Sequence, residues 1–227
     1  MFDVPCRMCI APHSVLCLLL AAATTLRGET NTPVRALGGG MFQVGLVRLE
    51  SKARTVTFPA AVNLREETIE YAVVHKIGKT HESLFRTVAR PQDIHVAMLL
   101  LGARPMMTNL FGANGKAAPL GDTVFLAVSW TNDTARSSHA VEDLVLNRET
   151  NKPMTRGAWI YNGSNFSEDA FTAQRDGSII SIHIDPDALI NNPRPGREND
   201  DLYAPNTAEL PPIGTPVEIT IRLTTAK

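Results

Sequence analysis

The sequence predicts an α+β domain: a largely antiparallel sheet with one main buried helix over residues 91–101 and an irregular C-terminal wrap. Three observations lead there. Several short stretches alternate apolar and polar residues, which is the period of a half-buried strand. One stretch, from Pro91, repeats its apolar residues at helical spacing instead. Between 191 and 216, prolines and charges replace both patterns. Many strands beside one helix define the class.

The N-terminus comes first. Residues 14–23 are apolar, follow Arg7 and run into small residues. The run is shorter than the roughly 20 residues of a bilayer span, so 1–28 reads as a secretory signal peptide cleaved after Gly28, with cleavage after Ala23 as the alternative. Residues 29–40, rich in Thr, Asn, Pro and Gly and ending in Gly38-Gly39-Gly40, read as a flexible tether. That leaves 41–227 as a single domain, in keeping with roughly 100 to 200 residues per domain.

Within it, Val44–Leu49 and Thr55–Pro59 read as strands joined by a charged turn, with Val56 and Phe58 on one face and Pro59 closing the second. In Ile69–His75, Ile69, Tyr71 and Val73 alternate with Glu70 and Ala72. Thr80 follows as the expected cap of a short turn through Leu84. Pro91 suits the first helical position and Gly102 the left-handed stop, while Ile94, Met98 and Leu101 keep helical spacing. Ala97, Leu99 and Leu100 widen the stripe, so the helix is expected to be buried on most sides. Val124–Trp130, Val141–Leu146, Trp159–Tyr161, Ser178–Ile184 and Val217–Leu223 complete the strands, the last alternating strictly.

Composition excludes several functions. Of 227 residues, 22 are Lys or Arg and 23 Asp or Glu, a net charge of -1. A nucleic-acid backbone calls for clustered cations, so no nucleic-acid partner is expected. Nothing after the leader reaches transmembrane length. Cys6, Cys9 and Cys17 all fall within the leader. The mature chain is therefore expected to hold no disulfide, no Cys nucleophile, no thiolate zinc site and no Cys-ligated iron–sulfur cluster.

At Val56–Ala60, Glu70-Tyr71, Lys79–Leu84 and Asp93–Ala103, the chain resembles the YdjY-domain family of bacterial envelope proteins of unknown function. The likeness spans 41–227 and takes in Asp185-Pro186, Asn191-Asn192-Pro193 and the Pro211–Pro216 approach to the last strand. Ser83, Ile94, Gly102, Asn191, Asn192 and Pro193 are its signature positions here. The resemblance implies a secreted or periplasmic protein. Some relatives are described as ferredoxin-like or iron–sulfur associated, which a cysteine-free mature chain does not carry over.

Two constellations are chemically suggestive. His75, His81, Glu82 and His95 would form an N/N/O set for a divalent metal if strand, turn and helix bring them together, or a structural hydrogen-bonded cluster if not. Asp185, Asp187, Asp200 and Asp201, with nearby amides, would suit calcium. Alternatively, Asp185 caps a short helical turn, with Asp187 near its positive end. Ser83 beside His81 and Glu82 gives weak support for hydrolysis, because adjacent residues on a turn point apart and no Gly-x-Ser-x-Gly elbow exists. Trp130, Trp159, Tyr161 and Phe166 suit either a ligand platform or a core. The expected function is a non-enzymatic binding or interaction module for an envelope protein or small ligand. The alternative is a metal-dependent envelope enzyme using the His/Glu cluster, and convergence of its four residues decides between them.

Overall fold

Strict alternation along Val217–Leu223 produces a strand that hides Val217, Ile219, Ile221 and Leu223, and the sheet is built outward from it. The computed structural model describes residues 32–106, 120–132, 135–167 and 170–224. In chain order the elements begin with strands β1 (Val34–Gly38), β2 (Met41–Val44), β3 (Val47–Glu50), β4 (Thr55–Val62), β5 (Tyr71–His75) and β6 (Ser83–Thr87). Helix α1 (Pro91–Leu100) precedes β7 (Asp122–Asn132), β8 (Ala135–Ala140), β9 (Val145–Asn147), β10 (Lys152–Pro153), β11 (Trp159–Tyr161), β12 (Phe166–Ser167) and β13 (Ala170–Phe171). Helix α2 (Thr172–Asp176) leads to β14 (Ser178–Ser181), β15 (Ile190–Asn191), β16 (Tyr203–Pro205) and β17 (Pro216–Leu223).

Hydrogen-bonded neighbours run β4–β17–β7–β11–β15–β14–β5–β6, and β6 returns to β4. The result is a closed eight-stranded barrel. This corrects the α+β expectation: the chain is 45% strand and 12% helix, and the helix from Pro91 is an attachment to a barrel rather than a layer of its own. Closure was hidden because β11 and β15 are only three and two residues long, too short for a period to register. The pairs β5–β6 and β14–β15 are parallel, and the other barrel pairs are antiparallel.

Directly paired residues share a face, so the registers give the interior as cross-strand rows. Phe58, Ile219 and Val128 form one, and Val56, Ile221 and Leu126 another. Tyr161, Ile190, Ile180, Val73, Phe85 and Val62 form a third around the closing half. All twelve are buried, so the barrel is filled by side chains.

Helix α1 packs on β2, β3, β4 and α2. It buries Ile94, Ala97 and Met98, but Leu99 and Leu100 are exposed, so burial is narrower than the stripe predicts. Val44–Leu49 is not one strand: Gly45, at φ +57°, turns β2 into β3 beside the Asp93 carboxylate of α1, where a Cβ would clash. Pro59 does not end β4. The β4 edge away from β17 pairs with β3 at 55–57 and with β6 at 61–62, and the positions between have no ladder partner there, so a proline is tolerated.

The expected tether fails in its described part, because Val34–Gly38 forms β1 against β2. The expected leader, residues 1–28, lies outside the described residues. Thr80–Glu82 is one 3-10 turn preceded by Lys79, with no side-chain cap. Val141–Leu144 is 3-10 as well. Among the described residues, no helix is long and apolar enough to cross a membrane.

Candidate functional site

The strand β5 and the loops around it wall an open cleft of about 640 Å³. Glu70 and Tyr71 enter at the start of β5, Lys79 and His81 follow its end, Asp176 closes α2, and His183, Asp185 and Asp187 lie beyond β14. Two glycines let the walls approach. Gly177 caps α2 at φ +75°, and a Cβ there would fall 2.8 Å from the backbone of Gly78.

Hydrogen bonds hold the acidic wall in place. The Tyr71 hydroxyl donates to Asp185 Oδ2 (2.8 Å), and Asp185 Oδ1 accepts the Asp187 backbone N–H (2.9 Å). This closes an Asx turn, not the expected helical cap. Asn165 Nδ2 donates to Asp187 Oδ1 at 3.2 Å. The Ile182 and His183 N–H groups donate to the Glu70 carbonyl, which bends the chain after β14 into the cleft. His183 Nδ1 lies 3.9 Å from Glu70 Oε2.

Glu70 N–H also donates to the Glu82 carbonyl (2.9 Å), which sets the two acidic residues side by side. Burial, then the Glu82 carboxylate, pushes the Glu70 carboxyl above its usual range. Burial and the Asp185 carboxylate likewise raise the Tyr71 hydroxyl. Asp176 is held low by its hydrogen bonds from Arg175. Lys79 lies 3.3 Å from Glu82 Oε1 and 5.2 Å from the centre of the Tyr71 ring.

The four residues of the expected His/Glu set do not meet. His95 is buried: its Nδ1 lies 2.7 Å from the Tyr161 hydroxyl, its ring packs on Phe171, and burial lowers its pKa to about 4. His75 is buried at the end of β5, and burial followed by Lys76 lowers its pKa. Only His81 and Glu82 remain close, at 3.7 Å. Among the described residues, no three His, Cys, Asp or Glu side chains could hold a metal ion together. The calcium set also divides, since Asp185 and Asp187 line the cleft, Asp200 and Asp201 do not, and Asp201 faces Arg148 at 3.8 Å.

The signature positions serve the framework. Ser83 is fully buried and donates to the Phe85 carbonyl (2.8 Å), so it offers no nucleophile to the exposed His81. Ile94 is core, and Gly102 takes the left-handed stop after α1 at φ +78°. Asn191 Nδ2 donates to Asn162 Oδ1 and to the Asp185 carbonyl, and Asn192 Nδ2 donates to the Ile182 carbonyl, which staples the loop bearing the acidic wall. The Pro193 carbonyl accepts from Arg197 at 3.4 Å. Trp159 and Tyr161 are core, whereas Phe166 is exposed, so the aromatics form no platform.

The family model for the YdjY domain matches residues 47–222. The chain belongs to the YdjY-domain family. No curated protein and no solved structure matches it. The matched span of this YdjY domain opens on the first residue of β3 and stops one short of the end of β17, so every cleft residue and all of the barrel but Leu223 fall inside it.

Sequence reasoning missed the cleft's Glu70, Tyr71, Lys79 and Asp176 as chemistry, although Glu70-Tyr71 stands out in the resemblance. It also missed a buried ion pair in this YdjY domain. Arg194 Nη2 donates to Glu142 Oε1 (2.7 Å), which also accepts from the Trp159 indole (3.0 Å) and the Gly157 N–H (3.2 Å). Residues this far apart in the chain give no local signal.

Proposed function

We propose that this YdjY domain is a secreted or periplasmic, non-enzymatic binding module whose cleft takes a small ligand bearing a protonated amine. One observation carries the reading: Glu70, Asp176, Asp185 and Asp187 line a single open cleft against one ammonium, that of Lys79. The volume falls within the roughly 300 to 1,000 Å³ of small-molecule sites. A cation beside Glu70 offsets the burial and the Glu82 repulsion that raise its carboxyl. Asp185 and Asp187 are already fixed as acceptors by Tyr71 and Asn165, which suits recognition. The apolar run at 14–23 supports the location.

The test is a titration of the full chain with putrescine, and with 1,4-butanediol as its uncharged counterpart, followed by amide NMR at low salt. Putrescine should saturate and shift Glu70, Lys79 and Asp187, and butanediol should not. Glu70→Gln and Asp187→Asn should each weaken binding several-fold. No saturable putrescine binding, or undiminished affinity when both are changed, overturns the reading.

A further inference from the structure

A second pocket lies where β3 and β6 part along β4. The β4 edge is shared: Thr55–Thr57 pair with β3, Ala61 and Val62 pair with β6, and the residues between have no partner on that side. The gap is a pocket of about 350 Å³. Pro59, Ala60 and Ala61 form its floor, and Val88, 52% exposed, adds an apolar wall. The Thr87 hydroxyl donates to the Pro59 carbonyl and accepts the Ala89 N–H (2.9 Å), which fixes the rim where β6 turns toward α1.

The only charges on this lining are cationic, Lys76 and Arg86. Several cations among the described residues have a carboxylate to face: Arg48 and Arg136 share Glu218, and Arg104, Arg156 and Arg194 face Asp122, Asp143 and Glu142. Among the described residues, neither Lys76 nor Arg86 has a carboxylate within the 4.0 Å of an ion pair. Both are exposed, and the parallel register of β5 and β6, with Val74 opposite Arg86 and His75 opposite Thr87, carries them to the same gap. The neighbouring His75 feels the Lys76 charge, which adds to burial in lowering its pKa.

We propose that this gap binds a small amphipathic carboxylate. The planar guanidinium of Arg86 matches a carboxylate through two parallel hydrogen bonds, Lys76 adds a point charge, and the proline and alanine floor takes a short apolar tail. The site is separate from the acidic cleft: the loop after β5 turns Lys76 toward this pocket and Ile77 and Lys79 toward the other.

Amide NMR of the full chain with octanoate, octylamine and acetate tests it. Octanoate should bind saturably, with shifts centred on Ala60, Ala61 and Val88. Octylamine, with the same tail and opposite charge, should leave these amides unmoved, and acetate should bind far more weakly. Arg86→Gln and Lys76→Gln should each weaken octanoate by about tenfold. Both side chains are exposed and without an ion pair, so the variants should keep the wild-type melting temperature. Octylamine matching octanoate on the same amides would mean apolar adhesion, and acetate matching octanoate would mean a plain anion site. Either result overturns the proposal, as does octanoate affinity unchanged in the double variant.

Discussion

His95 is held neutral between Tyr161 and Phe171, with a folded pKa of about 4 against about 6.5 when exposed. Between those values the unfolded chain binds a proton that the folded chain refuses. Stability therefore falls as pH drops from about 6.5 to 4 and levels off below. Each unit of depression corresponds to about 1.4 kcal/mol, so by pH 4.5 this one side chain removes about 2 kcal/mol. His75, also lowered, acts in the same sense, whereas Glu70, raised, binds its proton more readily when folded and acts in the opposite one. Urea unfolding at pH 7 and pH 4.5 checks this: His95→Gln should lose about 2 kcal/mol less than the wild type between the two. Equal losses would show that His95 does not hold the acid sensitivity. In the sequence, His95 reads as a hydrogen-bonded structural residue with a metal ligand as the alternative, and its actual partners stay hidden because Tyr161 and Phe171 are brought to it only by the closed barrel.

At the scale of elements, the strongest patterns were legible and the shortest were not. Val217–Leu223 is strand over the whole span read from alternation, and Pro91 and Gly102 bracket α1 as their backbone preferences require. The strand read over Ser178–Ile184 stops at Ser181, because the next two amides turn to the Glu70 carbonyl, a partner outside any local window. Of the candidate site, His81, Asp185 and Asp187 were legible as polar residues near element ends, but their meeting with Glu70 and Asp176 depends on which strands are neighbours. Two glycines separate local from tertiary demands. Gly102, at φ +78°, has open space where a Cβ would go, whereas at Gly121, at φ +144°, a Cβ would strike the Tyr161 carbonyl. Gly102→Ala should cost about 1 kcal/mol, for backbone conformation alone. Gly121→Ala should cost at least about 3 kcal/mol, since a strand carbonyl must move as well. Denaturant unfolding compares them, and equal costs would contradict the close approach of Gly121 to β11.

For the whole molecule, the barrel is uneven in strength around its circumference. β17 has seven paired positions with β4 and six with β7, while β6 meets β4 at only two. Native-state hydrogen exchange should find β6 opening at a lower free energy than β17, and the reverse order would contradict a closure made at β4–β6. The fold class was misread for the same reason: two short pairings turn an open sheet into a ring, and no composition or period marks them.

The position of β17 between β4 and β7 also sets an order in time. It is the last barrel strand to leave the ribosome, yet it stands between two of the earlier ones. Until residues 216–223 exist, β4 and β7 present bare edges to each other, and the rows through Phe58 and Val128 lie open to water. A growing or threading chain therefore has no barrel to rest in, and one interrupted short of residue 216 never acquires it.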